Sequence, residues 1–188
     1  MSLFERLAPG IGIYREFLGA WECFQLIDAA ERASSWEAAP IGRYQDQRLV
    51  ESRVDLDLRD VEVCDLVDCD VNWPIPRVLA LEHELRRDFD VPIEVTSRAM
   101  ICRYQRGSHI RPHRDAGVYS TLRLITCVAY LNDSYTGGEI VFPQMNCRVR
   151  PKTGDCLCFY SEHLHGVDSI LDGVRYSIVW FGEKALTH

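Results

Sequence analysis

The feature that most constrains this chain is the texture of its second half, where short β-rich runs follow one another between turn residues. From about residue 93 these runs are EVTSRAMICRY, TLRLITCVAYL, GEIVFP, CRVRP, GDCLCFY and VRYSIVWF. Short runs rich in β-branched and aromatic residues, at this spacing, are the signature of a sandwich or barrel. The first half reads differently. Residues 15–34 set Phe17, Trp21, Phe24, Leu26, Ile27 and Ala30 at helical spacing, and residues 76–89 form a second helical stretch with Pro76 near its start. Between them RLVESRVDLDL reads as a strand or an extended edge. Helices first and strands later define an α+β class. The expected architecture is a double-sheet jelly roll with the N-terminal helices packed on one outer face. One domain over 1–188 is expected, with a helical part at about 1–92 and a jelly-roll core at about 93–188.

Composition excludes several classes. Hydrophobic residues make up 47% and charged residues 26%, which is ordinary for a globular chain and not for a disordered one. No apolar run is long enough for a membrane span, and the N-terminal MSLFERLAPG has no basic region leading into an apolar one, so a cytoplasmic protein is expected. The eight cysteines contain no CxxC pair and several lie in apolar runs such as TCVAYL and DCLCFY, so they are read as core thiols, not disulfides. The net charge of −7 is uneven: residues 1–94 hold 10 Lys+Arg against 20 Asp+Glu, and residues 95–188 hold 11 against 8. No basic cluster points to nucleic acid. The mildly positive half would favour an anionic small molecule.

That half carries the segment HIRPHRDAG. His113 and Asp115 are two apart, so on an extended chain both side chains point to one side. A histidine from a facing strand would complete a set of two imidazoles and one carboxylate with three positions open, the arrangement that suits non-haem Fe(II) oxygenases. His165 offers this; His163, two residues earlier, would face the same way and stays open as the alternative. Alone, His-x-Asp reads better as a pair of solvated turn residues, and the downstream context is what lifts it. Ten residues after His165, Arg175 and then Ser177 share one strand face, where a guanidinium and a hydroxyl could grip a carboxylate. Arg175 could instead be a surface strand residue. Tyr104 and Tyr130 sit on expected core strands, where a buried phenol needs a partner. His109 is expected in a loop, facing solvent or at the mouth of the site.

Taken in order, Tyr104, His113-x-Asp115, Tyr130-Leu-Asn, Gly137-Gly138-Glu139, Phe142-Pro143, Pro151-x-x-Gly154-Asp155, His165, Gly173-x-Arg175 and Trp180 resemble the Fe(II)/2-oxoglutarate-dependent dioxygenases, and most closely their prolyl 4-hydroxylase-like branch. The resemblance covers roughly residues 98–182, and FLGAWECFQLIDAAE resembles that branch's helical start. It implies a double-stranded β-helix. It implies His113, Asp115 and His165 as iron ligands, Arg175 on the distal carboxylate of 2-oxoglutarate, where many prolyl 4-hydroxylases carry lysine, and Tyr104 and Tyr130 lining the co-substrate pocket. The spacing to Arg175 and the following Gly-Val favour His165 over His163. Met100 and Cys102 share a strand face with Tyr104 and are further candidates for lining.

The cofactors so implied are Fe(II), 2-oxoglutarate and O2, with ascorbate as a reductant. The expected reaction couples decarboxylation of 2-oxoglutarate to hydroxylation of an aliphatic C–H, in a prolyl or other residue of a protein or peptide. A free amino acid or small metabolite is the alternative substrate. A non-catalytic jelly-roll binding module is the alternative from another class, and it leaves Arg175, Ser177 and both tyrosines without a role. Residues 35–73 are long enough to form a lid over the site.

Overall fold

The computed structural model describes residues 3–33, 35–45, 48–69, 71, 74–95, 99–117 and 122–185, with side chains described in these ranges except at 43–50 and 74–75. In chain order the elements are β1 (Leu3–Ala8), β2 (Ile11–Arg15), α1 (Ala20–Ala33), β3 (Glu37–Ala38), β4 (Ile41–Gln45), β5 (Arg48–Arg53), β6 (Arg59–Asp60), β7 (Glu62–Asp65), α2 (Pro74–Phe89), β8 (Ile93–Val95), β9 (Met100–Tyr104), β10 (His109–His113), β11 (Arg123–Tyr130), β12 (Thr136–Gly137), β13 (Ile140–Phe142), β14 (Cys147–Val149), β15 (Cys156–Tyr160), β16 (His165–Val167), β17 (Ile170–Asp172) and β18 (Arg175–Lys184). Two antiparallel sheets dominate. The major sheet runs β1-β2-β15-β11-β18-β9-β7-β3, with β8 also on β18, and the minor sheet runs β14-β13-β16-β10-β6. This is a jelly-roll arrangement.

Strand alternation decides which side chains reach the space between the sheets. Along β11, Ile125, Cys127 and Ala129 join one core cluster with residues of α1 and α2, among them Cys23, Leu26, Leu81 and Leu85. The intervening Val128 and Tyr130 instead meet Ile140 and Phe142 of the minor sheet. The same rule sorts β15, where Cys156 and Cys158 join the helices and Leu157 and Phe159 face the minor sheet. On β18, Ile178 and Trp180 point to the helix side, which leaves Arg175, Ser177 and Val179 on the inner face.

The N-terminal half is not only helical. β1 and β2 form a hairpin that extends the major sheet through β15, and β3, β6 and β7 extend both sheets at the other edge. The first helix also begins later than its apolar spacing suggests. β2 continues to Arg15, Glu16 takes a positive φ of 53°, and Glu22 accepts a hydrogen bond from the Gly19 amide at 2.6 Å, capping α1. The second helix starts two residues before Pro76, at Pro74. The expected strand at RLVESRVDLDL ends at Arg53 and is followed by a turn in which Leu58 and Arg59 donate to the Asp55 carbonyl. Part of the EVTSRAMICRY expectation, residues 96–98, lies outside the described residues, as do residue 34 of the expected first helix and 46–47, 70 and 72–73 of the expected lid. No helix among the described residues is long and apolar enough to cross a membrane. Seven of the eight cysteines are buried and all eight are free thiols.

Candidate metal and co-substrate site

His113 ends β10 and His165 opens β16, and the two are directly opposite each other in the register of these antiparallel strands. Their rings lie 4.4 Å apart, and Asp115, just past β10, sits between them. Its carboxylate oxygens are 3.3 Å from His113 Nε2 and 3.4 Å from His165 Nε2. Ligand atoms of all three residues fall within 4.8 Å of one another.

The ring orientations follow from the backbone. Each Nδ1 lies 3.0 Å from a carbonyl oxygen, Arg111 O for His113 and His163 O for His165. A carbonyl only accepts, so Nδ1 carries the proton and Nε2 presents a lone pair to the common point. Asp115 is held by its amide, which donates to Ser161 O at 2.9 Å, and by Thr126 Oγ1, which donates to Oδ2 at 2.8 Å. The Thr126 hydroxyl also lies 2.8 Å from Ser161 Oγ. Burial pushes the Asp115 carboxyl up, but His165, His113 and the Thr126 hydroxyl outweigh it and hold it well below the usual carboxylate range. Burial pushes the His165 imidazole down to about 4, against the pull of Asp115. An ionised carboxylate and neutral imidazoles are what a divalent cation requires.

The structure thus brings His165, not His163, to Asp115. His163 Nε2 turns away, to Pro9 O at 3.1 Å, and its ring packs on Tyr160. His165 is fixed from behind by Phe159, 4.5 Å away, and by Phe142. His109 is half-buried and bridges Gly107 O and Asp57 O, each at 3.2 Å.

Beside the triad, in the same cavity of about 650 Å³, lies Arg175. It is 1% exposed and its guanidinium stands over Tyr104 at 4.4 Å and Tyr130 at 4.7 Å. Sheet register explains the grouping, since Arg175 is opposite Tyr104 on β9 and Ser177 is opposite Tyr130 on β11. Arg175 Nε and Nη1, Ser177 Oγ and Tyr130 Oη are all buried without a hydrogen-bond partner among the described residues. A buried cation without a counter-charge is costly, and four polar atoms left unsatisfied on one inner face fit a bound carboxylate. The residues present therefore fit a chelated divalent metal with a dicarboxylate beside it. Met100 and Tyr104 line the cavity, whereas Cys102 is fully buried in its wall.

Three contributors escape a reading of the sequence. Thr126 and Ser161 position Asp115, and Tyr135 places a second buried, unpartnered phenol, beside that of Tyr130, near Arg175. The signal available for Thr126 is its place two and four residues before Val128 and Tyr130 on one strand face.

Residues 99–182 match the 2OG-Fe(II) oxygenase superfamily. A protein of Acanthamoeba polyphaga mimivirus, provisionally named a prolyl 4-hydroxylase, is 29% identical over 131 residues, which are 58% of this chain and 54% of the viral protein. This chain thus spans about half the length of that relative. Among solved structures, a prolyl-4-hydroxylase of Pseudomonas putida superposes with a TM-score of 0.73 at 16% identity, covering 95% of both chains. A prolyl hydroxylase of Trichoplax adhaerens, in complex with a peptide fragment of the hypoxia inducible factor oxygen degradation domain, does so with a TM-score of 0.70 at 15% identity, covering 94% of this chain and 84% of that one. The match to the superfamily thus falls on the strand-rich second half that carries the His-Asp-His cluster and Arg175, and the fold shared with the solved prolyl hydroxylases extends over nearly the whole chain.

Proposed function

We propose that the chain is an Fe(II)- and 2-oxoglutarate-dependent hydroxylase that oxidises an aliphatic C–H of a peptidyl residue, with proline the favoured target. In this reading His113, Asp115 and His165 hold the iron, and Arg175, Ser177, Tyr130 and Tyr104 hold 2-oxoglutarate. One observation carries it: a fully buried arginine with unsatisfied donors shares a cavity with a His-Asp-His cluster. A structural metal site in a binding module would account for the cluster and leave Arg175 a buried, uncompensated charge.

The iron with 2-oxoglutarate and O2 supplies the oxidising chemistry when bound. The chain's own residues bind and orient. Thr126 keeps Asp115 aimed, and the two backbone carbonyls keep each imidazole in its metal-binding tautomer. Arg175 and Ser177 anchor the far end of the co-substrate, and the Tyr104 and Tyr130 rings flank the anchor and exclude water from it. No side chain is needed to shuttle a proton from the substrate carbon. The peptidyl assignment is supported by the prolyl hydroxylase relatives and by the peptide held in the Trichoplax neighbour. The cavity volume, about 650 Å³, gives room for a side chain beside the co-substrate.

The test is mass spectrometry of proline-containing peptides incubated with Fe(II), ascorbate and 2-oxoglutarate. Hydroxyproline formed in equal amount to succinate is the expected result. Uncoupled succinate with every peptide, beside coupled turnover of a free amino acid, would move the assignment to small molecules.

A further inference from the structure

Past the iron and co-substrate residues, the cavity wall is built from residues 39–42, 52, 58 and 59 and from β10, and its charges are unbalanced. Among the described residues, Arg59, Arg111 and Arg123 line it, against Glu183 as the single acidic side chain besides Asp115. Arg123 and Glu183 are opposite each other across β11 and β18, so they offset one another. The excess is cationic.

Among the described residues, neither Arg59 nor Arg111 of this wall pairs with a carboxylate, and Arg111 Nε donates to the Asp57 carbonyl oxygen at 2.6 Å, which leaves Arg59. It sits on β6, opposite Ile110 of β10, and so beside the strand that ends in His113. Its amide is pinned to Asp55 O at 2.9 Å by the turn before β6. The side chain reaches the Cys102 thiol on β9, yet Nε is buried with no hydrogen-bond partner. Two nearby carboxylates are engaged elsewhere. Asp55 pairs with Arg53 at 3.3 Å, and Glu62 takes Arg103 and Gln105 at 2.9 and 2.7 Å. A guanidinium whose partial burial is uncompensated inside a ligand cavity is satisfied when the ligand brings the anion.

We infer that Arg59 is a substrate-reading residue that pairs with a carboxylate carried by the substrate next to the oxidised residue, so that acidic peptides are preferred. This rests on the hydroxylase reading above and adds a substrate class to it. The carboxylate has two possible sources, an acidic side chain or a free C-terminus. The backbone of Arg59 is fixed by β6 and by the turn, so the guanidinium would be presented ready-made and discrimination would come from one fork of hydrogen bonds.

The experiment is calorimetric binding of short proline peptides to the full chain loaded with Mn(II) and N-oxalylglycine, which does not require turnover. The peptides carry Glu or Gln beside proline, each with a free or an amidated C-terminus. The expected result is a preference for the carboxylate form of about ten-fold or more, the scale of a charged hydrogen-bonded pair. Arg59→Gln should abolish the preference and Arg59→Lys should keep part of it. Whether the preference follows the Glu/Gln or the free/amidated arm identifies the source. The inference is overturned if the wild type binds all four peptides alike, or if Arg59→Gln keeps the preference. It is also overturned if Arg59→Gln raises the 2-oxoglutarate requirement of succinate release as Arg175→Ala does, because Arg59 would then serve the co-substrate. A retained, Arg59-dependent preference without any peptide hydroxylation would leave the inference standing and remove the peptidyl hydroxylase reading instead.

Discussion

At the residue scale the account turns on groups whose burial makes sense only with a ligand. Arg175→Ala removes the cation that a dicarboxylate would meet, so the apparent 2-oxoglutarate requirement should rise by the equivalent of about 2–5 kcal/mol, with a milder rise in Tyr130→Phe. Succinate release against 2-oxoglutarate concentration measures it, and an unchanged requirement in Arg175→Ala would remove the residue from the co-substrate site. His165 gives a pH signature in the metal-free protein. Its folded pKa, about 4, lies below its ordinary 6.5, so the unfolded chain binds the extra proton in that window. Stability from keeping it neutral is then full above pH 6.5 and is lost as pH falls toward 4. Thermal melts across this window should show a steeper fall for wild type than for His165→Gln, and equal slopes would contradict the assigned burial of a neutral ring. Much of this scale is legible in the sequence. His113 and Asp115 announce themselves by spacing, and Arg175 and Ser177 by sharing a strand face. Choosing His165 over His163 is harder, since both would face the same way on a regular strand; in the structure β16 begins only at His165. Thr126 stays hidden, because it acts through Asp115, which only the fold brings close.

At the scale of elements, β11 and β15 are readable because they are buried on both faces for most of their length and so are almost continuously apolar. The N-terminal strands are not. β3 and β6 have two residues each and owe their conformation to a partner strand, so no periodicity announces them. The 35–73 segment follows the same logic. Ala39, Pro40, Ile41, Gly42, Ser52, Leu58 and Arg59 do line the cavity, but they reach it through short pairings and turns that carry no sequence signature. Turn geometry is better marked. Gly154 has φ +86°, and a Cβ there would stand 2.1 Å from the Leu18 carbonyl oxygen, which ties the start of α1 to β11 through Gly154. Gly107 has φ +93° with nothing within 4 Å. Gly154→Ala should therefore cost on the order of 3 kcal/mol and Gly107→Ala about 1 kcal/mol, read from urea unfolding. Equal costs would mean that backbone conformation alone matters and the Leu18 contact does not.

For the whole molecule, the two faces of the major sheet divide the labour. One packs on the helices and stays apolar, with Cys127, Cys156 and Cys158 in mutual contact at 3.4 and 3.6 Å. The other faces the minor sheet and holds the chemistry. Burial pushes the Cys156 and Cys158 thiols up, so they are poor nucleophiles and should remain reduced. Intact mass after alkylation in denaturant, with and without reductant, should be identical, and a species lacking two alkyl groups per pair in the absence of reductant would contradict this. The division also explains why fold class is easier to foresee than substrate. Alternation sorts residues between faces by polarity alone, whereas the wall around Arg59 depends on which short segments meet. The central claim is that one His-Asp-His centre runs 2-oxoglutarate chemistry. Its most direct measurement is 2-oxoglutarate-dependent succinate release by the Fe(II)-loaded wild type, His165→Ala and His163→Ala proteins, side by side. Release by the wild type, its loss in His165→Ala and its retention in His163→Ala is the predicted result; no release by the wild type, or loss in His163→Ala with retention in His165→Ala, would contradict it.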